Sequence, residues 1–183
     1  MALTMNAGGR ELLFRFTVRA WVEIEEKLGS LNRLLERIDS DDAPVTAMIA
    51  LSAATATAGN RYRGIAERVT EDDLIDSLSP MQIKLANRLA KTALTIGMRR
   101  EEAEQDDDEV IDVVLEELRQ EELKKKRGGA ISLSSRQCIG YGLIAGLTLD
   151  EILSSEPGFV MDMFFMRRKY DDEQHMLRRR RED

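Results

Sequence analysis

The sequence predicts a mostly α-helical chain of the α+β kind, in which an N-terminal β-hairpin packs on a helical domain and a small helical module follows. Two observations carry this. Apolar residues recur at spacings of three and four over most of the 183 residues, and helix-capping residues stand in front of several of these stretches. Only the first 17 residues alternate with the two-residue period of a strand.

Leu3-Thr4-Met5, the turn Asn6-Ala7-Gly8-Gly9 and the run Glu11 to Thr17 read as a hairpin, with Leu12, Phe14 and Phe16 on the face that a helix must cover. Thr17 is placed to cap a helix with Trp21, Ile24 and Leu28 on one stripe and Gly29 as its stop. Ser30 opens a second, carrying Leu31, Leu34, Leu35 and Ile38, and the acidic turn Asp39 to Asp42 ends it. Pro44 reads as the first residue of a third, whose stripe of Val45, Met48, Ile49, Ala53 and Ala56 is mostly small and admits close neighbours. Thr70 with Asp73 makes a capping box for a brief helix through Leu78. Ser79-Pro80 starts a longer one with Met81, Leu85, Ala86, Leu89, Ala93 and Ile96 on its apolar side.

Residues 1–100 thus form a main domain, and the charged stretch 101–129 reads as a helical linker that keeps Val110, Ile111, Val114, Leu115 and Leu118 at helical spacing. Gly128-Gly129 is the boundary to a C-terminal module, 130–183, with a basic tail. In that module Ile139, Leu143, Ile144 and Leu147 suit a short helix interrupted or ended by Gly140, Gly142 and Gly146. Thr148 with Glu151 gives another capping box, and Pro157 starts a run, Phe159 to Met166, that is apolar except at Asp162.

Composition narrows the function. A share of 43% apolar residues is globular, 33% charged residues suit solvated helix faces, and the net charge of −7 disfavours nucleic acid as the default partner. A single cysteine, Cys138, excludes an internal disulfide, and no apolar run approaches the roughly 20 residues of a membrane span.

Candidate chemistry is sparse. The one histidine, His175, lies in a charged tail and reads as solvated, so no histidine-based catalytic set can be assembled. Cys138 beside Ile139 and Gly140 reads as a small buried apolar residue rather than a nucleophile. Asp106, Asp107, Asp108 and Glu109 lack the alternation and bend glycine of a calcium loop, and Gly8-Gly9 lacks the spacing and lysine of a phosphate loop. No metal, cofactor or catalytic residue is therefore expected. The basic runs Lys124 to Arg127 and Arg178 to Arg181 have no interleaved aromatics and read as solvated ends. The most informative stretch, Phe159 to Met166, suits core packing and partner binding equally, because large anchors and adaptable methionine serve both, and on the partner reading Phe159, Met163 and Phe164 are the expected contacts.

The order of elements resembles the tail assembly chaperones of long-tailed bacteriophages. The matching residues are Arg10 to Thr17 with Trp21 to Gly29, and then Gly146-Leu147-Thr148-Leu149-Asp150-Glu151-Ile152-Leu153 followed by Glu156-Pro157, where Ile152 and Leu153 replace a more usual aromatic pair. The resemblance implies a non-enzymatic factor of the host cytoplasm, absent from the finished virion, that coats the tape measure protein and brings tail tube subunits to it. It also implies self-association, for which the stripe Val110 to Leu118 is available, and a longer product made by frameshifting, for which the codons of Lys124-Lys125-Lys126 are a candidate junction. Two other readings stay open. Ser134 to Met166 followed by Arg167, Arg168 and Lys169 can be read as helix, turn and helix of a small DNA-binding regulator, and Cys138 could serve an enzyme.

Overall fold

A computed structural model describes residues 3–39, 44–99 and 133–182. The linker stripe at Val110 to Leu118, the glycine pair, the acidic cluster at 106–109 and the lysine run fall outside the described residues. So do the last residues of the acidic turn. Among the described residues the architecture is mostly α, eight helices with one two-stranded hairpin.

Strands β1 (Thr4–Ala7) and β2 (Arg10–Leu13) pair antiparallel, with Thr4 opposite Leu13 and Ala7 opposite Arg10. The alternation predicts a second strand running to Thr17, but the ladder stops at Leu13. Phe14 still donates to the Leu3 carbonyl at 2.8 Å, whereas the Arg15 amide turns to the Thr55 carbonyl, 3.0 Å away inside a helix. Leu12, Phe14 and Phe16 are buried as expected, and Leu13 on the opposite side is buried too. That helix covers it: a Cβ added to Gly59 would lie 1.7 Å from the Leu13 carbonyl oxygen.

Helix α1 (Val18–Leu28) is capped by Thr17, whose hydroxyl accepts from the Ala20 amide at 3.3 Å. It ends at Gly29, which has φ 79° and donates to the Glu25 carbonyl. Helix α2 (Leu31–Asp39) buries Leu31 and Leu34. Helix α3 (Val45–Tyr62) departs from its expected stripe. Pro44 is its cap residue instead of its first turn, Val45 is 63% exposed, and Ala47, Ile49, Leu51 and Ala53 as well as Thr55 to Asn60 are buried. The helix is central, touching the hairpin, α1, α4 and α5, and its small residues let all four approach.

Thr70 and Ser79 form complete capping boxes with Asp73 and Gln82 and start α4 (Glu71–Ser77) and α5 (Pro80–Gly97). In α5 the expected stripe is rotated. Met81, Leu85 and Ile96 are exposed, and the face on the core is Ala86, Asn87, Ala90, Ala93, Leu94 and Gly97. The small residues win because α5 lies close on α3, where Ser52 donates to Asn87 Oδ1 at 2.7 Å.

Helices α6 (Ser135–Ile144), α7 (Leu149–Ser154) and α8 (Pro157–Glu182) complete the chain. Both α6 and α7 pack on α1, α6 also packs on α8, and the first turn of α8 meets the end of α5. Cys138, Ile152 and Val160 belong to the same buried cluster as Phe14, Phe16 and Trp21. Among the described residues no helix is long and apolar enough to cross a membrane, and no group of three or more potential metal ligands occurs.

Candidate partner-binding surface

The surface is set by how α6 to α8 are held. A capping box of Ser134 with Gln137 starts α6, and the Glu25 carboxylate of α1 accepts from the Ser135 amide at 3.2 Å and from its hydroxyl. An anion at a helix N-terminus is favourable, so this contact fixes α6 on α1 electrostatically as well as by packing. Gly140 and Gly142 lie within the helix, and only Gly146, at φ 92°, ends it. Gly142 is needed for proximity, since a Cβ there would sit 2.6 Å from Ile152 Cγ1. Leu143 and Ile144, expected on the apolar side, are exposed because the buried face instead holds Ser135, Cys138 and Gly142.

Thr148 and Glu151 form the expected box that starts α7. The Thr148 hydroxyl and amide both donate to the Glu151 carboxylate and hold it below its ordinary pKa. Past α7, the Ser155 carbonyl accepts from the Val18 amide at 2.9 Å, and Glu156 accepts from Arg15, with Nε 3.1 Å away. The Arg15 guanidinium also lies 3.9 Å over the Tyr62 ring. A cleft of about 390 Å³ beside this junction is lined by Arg15, Arg19, Arg61 and Tyr62 among others. Two of its cations are already paired, Arg15 with Glu156 and Arg61 with Glu23.

On α8 the three expected contacts separate. Phe159 is 51% exposed, Met163 one turn later is half-buried, and Phe164 is half-buried with its ring 4.6 Å from that of Tyr141 on α6. Phe159 and Met163 therefore share an accessible face, while Phe164 secures α8 to α6. Val160 is fully buried between them. The basic tail is not separate from this helix, since α8 continues through it to Glu182 with His175 on its exposed part.

Cys138 is fully buried, and burial pushes its thiol up to about 12, so hardly any thiolate exists at neutral pH. The Glu25–Ser135 and Arg15–Glu156 pairs were not foreseeable from local patterns, because their members lie 110 and 141 residues apart. The Ser134 box did have a local signature, serine followed three residues later by glutamine. Comparison with protein-family models, with curated proteins and with solved structures returns no match for the chain.

Proposed function

We propose that this chain is a tail assembly chaperone of long-tailed bacteriophages, which binds the tape measure protein and recruits tail tube subunits during tail assembly. In this reading it works in the host cytoplasm and is not retained in the virion. Its origin is the resemblance carried by Arg10 to Gly29 and by Gly146 to Pro157. The observation that supports it best is the presentation of Phe159 and Met163 at the base of α8. Phe159 is a large aromatic left 51% exposed on a helix whose first turn is otherwise buried, in a module tied to α1 through Glu25, Ser155 and Glu156. Exposed aromatic anchors on a rigid support are what protein interfaces use most.

Phe159 also makes the better test. Replacing Phe164 breaks the stack on Tyr141 and unsettles α8, whereas Phe159→Asp removes an exposed ring and leaves the packing in place. In pull-downs with purified tape measure and tail tube proteins, Phe159→Asp is expected to cut tail tube capture at least tenfold with an unchanged melting curve and unchanged tape measure capture. Wild-type protein that captures neither partner overturns the proposal. Full tail tube capture by the folded variant removes Phe159 from it.

A further inference from the structure

The outer half of α8 is largely exposed. From Arg167 to Arg178 every side chain except Gln174 is exposed, and a lone helix of this size is marginal in water. Yet it carries an apolar stripe: Met163, Met166, Tyr170 and Leu177 follow one another by three, four and seven and fall within about 60° of arc at 100° per residue. Met166 is 63%, Tyr170 54% and Leu177 48% exposed. A stripe of this kind on so exposed a helix calls for a second helix against it.

The charges indicate which one. Along α8 they come in blocks, basic at Arg167, Arg168 and Lys169, acidic at Asp171, Asp172 and Glu173, and basic again from Arg178 to Arg181. We propose that two copies of the chain pair antiparallel through this part of α8, about a two-fold axis near Tyr170. Met163 then meets Leu177 of the second copy, and the two Tyr170 rings meet at the axis. On the flanks Arg167 comes beside Asp171 of the second copy and Lys169 beside its Glu173. Arg167 already bonds Asp171 of its own chain at 3.3 Å, so each guanidinium sits between two carboxylates. The terminal arginine blocks are carried to opposite ends, roughly 27 Å apart at 1.5 Å per residue. That is several times the Debye length of about 8 Å at physiological salt. A parallel pair would set like blocks side by side and both arginine quartets together. The interface is isologous and closes on itself. Phe159 falls level with position 181 of the second copy, in the last turn of the overlap, and the pairing is drawn from the stripe and charges of α8 rather than from the tail-assembly reading.

Cysteine scanning of the full chain tests it, with Cys138 buried and unreactive in the background. Wild-type protein is expected to have twice the 20.8 kDa chain mass by light scattering after size exclusion. Mild oxidation should cross-link Tyr170→Cys with itself. Leu177→Cys should stay at least tenfold less cross-linked alone, and should cross-link when mixed with Met163→Cys. A mass of one chain at all concentrations overturns the proposal. So does self-cross-linking of Leu177→Cys as readily as Tyr170→Cys, the mark of a parallel pair, and so does a dimer that Tyr170→Cys fails to cross-link.

Discussion

The polar side chains buried along α3 are each answered by a specific partner. The Thr57 hydroxyl donates to the Val69 carbonyl at 3.1 Å and accepts from the Val69 amide at 3.0 Å, and Asn60 Nδ2 donates to the Glu67 carbonyl at 3.0 Å. One threonine thus satisfies both backbone groups of a buried residue and holds the connection to α4 against the core. Thr57→Val keeps the shape and strands both groups, so it is expected to cost about 1–3 kcal/mol in urea unfolding, while Thr57→Ser costs less than half as much. Equal losses for both would show that packing of the methyl group, and not the paired backbone, is what matters. Trp21 is the contrasting case. It is fully buried, and its indole N–H alone among the described buried side-chain polar atoms has no partner, so its stabilising value rests on packing.

At the scale of elements, the capping boxes do two kinds of work. Those at Ser79 and Ser134 close on glutamine, while those at Thr70 and Thr148 close on Asp73 and Glu151. The threonine hydroxyl first, and its backbone amide second, hold each of these carboxyls below its ordinary value of 3.8 or 4.5. A depressed folded-state pKa means stability that is complete above the ordinary value and lost as the pH falls through the depressed one. Melting temperature is therefore expected to fall on acidification from about pH 5. Glu151→Gln, which copies the glutamine boxes, should make the profile shallower without abolishing α7. An unchanged acid profile for that variant would mean that the Thr148 box contributes nothing to it.

The same boxes explain what was legible in the sequence. A capping pair is local, so the starts at Thr17, Thr70, Ser79 and Thr148 could be read directly. Which face turns inward is a tertiary matter. In α5 the large residues Met81, Leu85 and Ile96 suggested the core side, but the face close to α3 is mostly small, with Ala86, Asn87, Ala90, Ala93 and Gly97 beside the one large residue Leu94. The run Phe159 to Met166 was visible as an apolar segment. Its division into an exposed Phe159 and a stacked Phe164 depends on where α6 lies, which no local pattern reveals.

For the molecule as a whole, the governing feature is that the buried cluster does not stop at the end of α5. Helix α1 is packed on one side by α3 and on another by α6 and α7, and Ile152 and Val160 lie in one cluster with Trp21. Contacts shared in this way couple the melting of one part to that of the other, because neither can expose its side of α1 without losing apolar burial. Ile152→Ala is the sharpest probe. The side chain is fully buried and its loss from a packed interior costs about 2–5 kcal/mol. Trp21 is the only tryptophan and reports on α1, whereas far-UV circular dichroism reports on all helices. In the full chain both probes are expected to give one coincident transition in wild type, and Ile152→Ala should move both to lower denaturant by the same amount. A variant in which circular dichroism loses amplitude early while tryptophan fluorescence keeps its wild-type midpoint would show that α6 to α8 unfold as a separate unit, and would refute the coupling drawn from the shared core.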